Sequence, residues 1–157
     1  MSKDEMSDFR YRGARACILL HEQHIRQFVE TWKQFKAEGI TLPQSKFSQY
    51  DSYEALLHHV VSLAGKYMNW VCEKLELPDP GIEPCPGLDR IEAEVDSYLD
   101  HLLARYRLPL VEVPGKSFYQ PGYPAPWGVD YCLDAMMEHA VMHPLRHRFQ
   151  LLELMEK

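Results

Sequence analysis

From Ala14 the apolar residues fall at positions 14, 18, 25, 28, 32 and 35, with His21 filling the gap between them. Steps of three and four describe one face of a helix, so a first helix is expected to run from about Ala14 towards Gly39, a glycine stop signal. The stretch TLPQSKFSQY then reads as a loop. Asp51 followed three residues later by Glu54 resembles a capping box with an acidic cap. Behind it Leu56, Val60, Leu63, Tyr67, Trp70 and Val71 continue a second helical face as far as Leu75. PDPGIEPCPG ends that helix, because proline lacks a backbone donor and its ring clashes with the preceding turn.

A third face follows at Ile91, Val95, Tyr98, Leu102 and Tyr106, in a helix expected over Asp89 to Tyr106. The next segment, LPLVEVPGKSFYQPGYPAPWG, is broken repeatedly by proline and glycine and is expected to be a long loop, with room for a short strand at Leu110 to Val113. A fourth helix is expected from about Gly128 almost to the C-terminus. Four long helices without a convincing strand pattern predict an all-α fold, a four-helix bundle with long loops after its second and third helices. The 157 residues suit a single domain spanning 1–157.

The fourth helix raises the chemical question. Its apolar stripe is Leu133, Met136, Ala140, His143, His147 and Leu154, so two imidazoles occupy a face expected to point into the bundle. Four residues apart, both can converge on one point, the geometry of a bidentate metal clamp. His139 stands one step off the stripe, and a 139/143 pair is also compatible with the spacing. Pro144 falls among them and withholds a hydrogen bond from the Ala140 carbonyl, which allows a local bend. One histidine on an apolar stripe is more often a packed core residue; two leave a clamp and packed histidines evenly matched. A metal site also needs a third ligand from elsewhere.

In the second helix, LLHHVV offers His58 and His59, of which His59 has Leu56 and Leu63 on its side and is the better inward candidate. His21 reads first as a core or pocket-lining residue, and His101, beside Asp100, as a surface one. There is no phosphate-binding glycine loop, no GxSxG and no HExxH. Tyr119, Tyr123 and Trp127 can wall a pocket or simply pack a connection.

Composition narrows the partners. A net charge of −6 argues against a nucleic-acid surface. No apolar run approaches the roughly 20 residues of a membrane span, so no membrane partner is expected. The charged start, MSKDEMSDFRYRG, does not read as a secretory signal. Cys17, Cys72, Cys85 and Cys132 are scattered without a CxxC pair, as expected of free thiols in a cytoplasmic protein.

The histidine-bearing stretches resemble the DinB superfamily, the DinB/YfiT-like metalloenzymes. HPLRHRFQ, residues 143–150, is similar to that family's last-helix pattern of two histidines four apart, then Arg, a variable residue and Gln. His139 stands where many members carry a further histidine, and HVVSLAGKYMNW from His59 is similar to the second-helix stretch. Phe149 departs from the pattern, which commonly has glycine there. The resemblance implies a four-helix bundle with His59, His143 and His147 as ligands of a divalent metal, nickel or zinc first, iron or manganese as alternatives. It further implies a homodimer and a metal-dependent transferase that joins a low-molecular-weight thiol to a small electrophilic substrate. A metal-dependent hydrolase and a non-catalytic, stress-related metal-binding protein are the other readings. Tyr53, Tyr67 and Arg146 are the nearby side chains to consider beyond the ligands.

Overall fold

A computed structural model describes residues 8–157; the first seven residues of the charged N-terminal stretch lie outside the described residues. The fold is mostly helical. Four long helices, α1 (Arg12–Ala37), α2 (Tyr53–Lys74), α3 (Ile91–Tyr106) and α5 (Leu133–Met155), are accompanied by a single turn, α4 (Lys116–Tyr119). A two-stranded antiparallel ribbon, β1 (Tyr123–Pro124) with β2 (Asp130–Tyr131), precedes α5.

Cross-helix contacts give the directions. The Tyr11 hydroxyl just before α1 donates to Asp134 in the first turn of α5 at 2.9 Å, and Arg148 near the far end of α5 donates to Thr31 at 3.1 Å. These two helices therefore run parallel. Arg107 bonds Glu22 at 2.6 Å while Lys33 bonds Asp96 at 2.9 Å, so α3 runs against α1. Trp32 Nε1 donates to the Tyr53 carbonyl at 2.7 Å, and Lys36 pairs with Glu54, so α2 runs against α1 as well. With α2 and α3 pointing the same way, the chain between them must return along the length of the molecule. Residues 75–90 form this strap, pinned to α3 where the Tyr98 hydroxyl donates to the Glu83 carbonyl at 2.9 Å and the Glu83 amide donates to His101 at 3.0 Å. Gly65 makes room for it: a Cβ there would stand 3.2 Å from Ile82.

The core is built from the predicted stripes. Ile18, Ile25, Phe28, Trp32 and Phe35 of α1 are buried against Leu57, Val60 and Met68 of α2, Val95 and Leu102 of α3, and Leu133 and Met136 of α5. His21 joins them at 1% exposure, its ring stacked on Tyr106 at 4.5 Å. Burial pushes its pKa down to about 3, so it is a neutral core residue, as its stripe suggested.

Several boundaries differ from expectation. Ser52, not Asp51, caps α2: its hydroxyl accepts the Ala55 amide at 3.0 Å, and helix starts at Tyr53. The acidic residue three places on is then N2, so no capping box forms. The Leu110–Val113 stretch is turn rather than strand, and the ribbon lies further on, where Gly128 adopts φ +86° at its turn. That ribbon displaces the start of the last helix from Gly128 to Leu133. Pro144 does not interrupt α5, which continues through it to Met155. Pro144 is itself buried, and burying the flanking apolar face outweighs a cost of about 3 kcal/mol for an interior proline. All four cysteines are free thiols. Among the described residues no helix is long and apolar enough to cross a membrane.

Candidate metal centre

The antiparallel packing of α2 on α5 brings one histidine against two. His59 Nε2 lies 3.1 Å from His143 Nε2, and the ring of His59 stands 5.2 Å from that of His147. His143 and His147 face each other at 4.8 Å, one turn apart on α5. One ligand nitrogen from each of the three lies within 4.8 Å of the others, and among the described residues this is the group of three that can hold a metal ion. His58, the neighbour set aside on α2, lies outside it.

The donor set fits a divalent transition metal. At Zn–N bonds of about 2.0–2.1 Å, two nitrogens on a tetrahedral ion lie about 3.3 Å apart. The His59–His143 spacing already satisfies that, and the His147 nitrogen lies within 4.8 Å of both. Burial, reinforced by the neighbouring imidazoles, pushes the pKa of His143 down to about 2 and that of His147 to about 4. The His59 pKa is lowered by burial first, then by His58 and Lys66. Each ring therefore presents a lone pair at neutral pH, the form that binds metal.

The orientation of His147 is held from outside. Its Nδ1 lies 2.9 Å from Gln150 Oε1, which also accepts from the Tyr50 hydroxyl at 3.1 Å. An amide oxygen only accepts, so Nδ1 carries the proton and Nε2 is left as the donor atom. The resemblance supplied Gln150 as part of a motif; its spacing of three after His147, one helical turn, is the signal for this role. His143 lacks such a support: its Nδ1 is buried with no hydrogen-bond partner. An unpaired buried ring nitrogen costs about 1–3 kcal/mol. Gln150→Ala should weaken metal affinity by about 10–100-fold while leaving the helical circular dichroism unchanged; equal affinity in a competitive chelator titration would remove Gln150 from the site.

His139 is placed beside the group, not in it. Trp127 at the ribbon turn stacks on its ring at 4.9 Å, and Tyr67 of α2 meets it edge-on at 5.3 Å. Tyr67 also touches His143, with centroids 5.8 Å apart, and burial pushes its phenol up to about 12. Trp127 thus packs on His139 rather than on the three histidines, whereas Tyr119 bonds the Tyr11 hydroxyl far from it in sequence and ties α4 to the start of α1. Tyr53 is turned away, its hydroxyl donating to the Ile40 carbonyl at 2.7 Å. Arg146 is exposed, and its charge lowers the basicity of His139, His143 and His147 further. Arg148 braces α5 on Thr31, and Phe149, the departure from the family pattern, is exposed. Compared with family models, with curated proteins and with solved structures, the chain finds no match.

Proposed function

We propose that this chain is a DinB-type four-helix bundle in which His59, His143 and His147 hold one divalent ion, nickel or zinc first, and that it transfers a low-molecular-weight thiol to a small electrophile. The observation that carries the reading is the convergence of three neutral imidazoles within 4.8 Å. What supports the family is that the three positions carried over from the motifs are the same three that the packing of α2 on α5 brings together. A divalent ion at such a site supplies a Lewis acid that lowers the pKa of a coordinated thiol.

The chain's own residues have separate tasks. Three histidines leave at least one coordination position free for an exchangeable ligand. Gln150 holds His147 in its donor tautomer, and Tyr67, itself buried, packs against His143. Cys17, Cys72 and Cys85 are each pushed up to about 11 by burial, which keeps them protonated and makes them poor nucleophiles. On this reading the attacking sulfur comes from a small molecule.

Cobalt substitution tests this. Adding a small thiol to the cobalt-loaded protein should produce a sulfur-to-metal charge-transfer band that disappears in His147→Ala. A cobalt spectrum that ignores every thiol tried would overturn the transferase reading and favour a hydrolytic or non-catalytic centre on the same ligands.

A further inference from the structure

His59 is reached from outside through a cavity of about 280 Å³ between α2, the turn before it and the strap. Ser48, Gln49, His58, Ser62, Lys66 and Leu88 line it with His59, and its wall contains no carboxylate, in a chain whose net charge is −6. A second cavity of about 370 Å³ continues beneath the strap and shares His58, Ser62 and Lys66 with the first. It adds Glu83, so the carboxylate lies in the second cavity while Lys66 lines both.

Lys66 stands seven residues from His59 on the same helix, a rise of about 10 Å. A lysine side chain spans about half of that, and its ammonium offers three donors and no acceptor. Lys33, Lys36 and Lys74 each pair with a carboxylate. Among the described residues Lys66 has no such pair, although its charge reaches both His59 and Cys85. The Ser48 hydroxyl and the Gln49 amide add donors along the same wall, while the Ser62 hydroxyl donates to the His59 carbonyl at 3.4 Å. An anion fits this wall; a cation would meet only repulsion from Lys66. Ala55, Leu63 and Leu88 supply the apolar part of the lining, which suits a short hydrocarbon spacer.

We propose that this cavity seats the carboxylate of a small, anionic ligand, with Lys66 as its counter-ion and the ligand's other end reaching the three histidines. The proposal rests on the metal reading above and specifies its ligand: a thiol that carries a carboxylate a few bonds from sulfur.

The test compares 3-mercaptopropionate with uncharged 3-mercapto-1-propanol on cobalt-loaded protein, following the charge-transfer band. Lys66 is exposed and screened, so the carboxylate should improve affinity by about three- to fivefold, the equivalent of roughly 1 kcal/mol or less. Lys66→Met should abolish the preference without changing affinity for the alcohol, Lys66→Arg should retain it, and raised salt should shrink it. Equal affinities in the wild type, or a preference that survives Lys66→Met, would overturn the proposal and leave the metal reading standing. If instead cobalt does not bind, the metal reading fails, and glutarate is titrated into the metal-free protein by amide NMR. Shifts at Ser62 and Lys66 that vanish in Lys66→Met support the anion site; their absence in the wild type overturns it.

Discussion

Replacing either His143 or His147 with alanine should leave a folded protein that no longer retains a divalent metal. Purified without a histidine tag, the wild type should carry close to one transition-metal ion per chain. Loss of a residue that only orients a ligand costs about 10–100-fold in affinity, so loss of a ligand itself should exceed that range. The expectation follows from geometry: with either imidazole gone, two nitrogens remain, and two monodentate ligands compete poorly with water or a chelator. Both residues are nearly buried, at 9% and 8% exposure, so circular dichroism must accompany the elemental analysis. His58→Ala and His101→Ala are the controls, since one lines the outer cavity and the other receives the Glu83 amide. His139→Ala should have a small effect, exerted through its ring contact with His143. Wild-type protein whose metal stays substoichiometric after zinc or nickel is added would remove the site.

Trp32→Ala should be the most damaging single change to stability. The indole is 1% exposed towards the C-terminal end of the α1 stripe, and its Nε1 donates to the Tyr53 carbonyl, where α2 begins. One residue thus fills the core and fixes the entry of α2, whose register sets where His59 meets α5. Truncating a buried tryptophan costs about 3–5 kcal/mol. At about 2–4 °C per kcal/mol for a chain of this size, the melting temperature should fall by about 10 °C. Leu108→Ala, at a side chain 52% exposed, should move it by less than about 2 °C. Equal shifts for the two variants would mean that α1 does not pack on α2 as described.

The elements that could be read in advance share one property: their signals are local. The apolar stripes of α1, α2 and α3 repeat at helical spacing over several turns, and each lies on a buried face in the structure. His59 was separable from His58 because adjacent helical residues point about 100° apart, and only one can share a side with Leu56 and Leu63. Boundaries were less legible. Asp51 and Ser52 are both good caps by type, and the choice between them depends on which backbone turns first. The ribbon before α5 was hidden because two-residue strands carry no periodicity; what holds it is a glycine turn and the packing of Trp127 on His139.

By itself the chain's pattern determined a helical class and an inward stripe carrying His143 and His147, and it favoured His59 over His58, because side-chain direction within a helix follows from residue number alone; the resemblance selected these three as the ligand set. Only the tertiary structure decided that those two stripes meet. It runs α2 against α5, lets α5 pass through Pro144 unbroken, and sends the strap back beside Lys66. Pairing between distant helices depends on how whole surfaces fit, a property of the assembled core that no local spacing encodes.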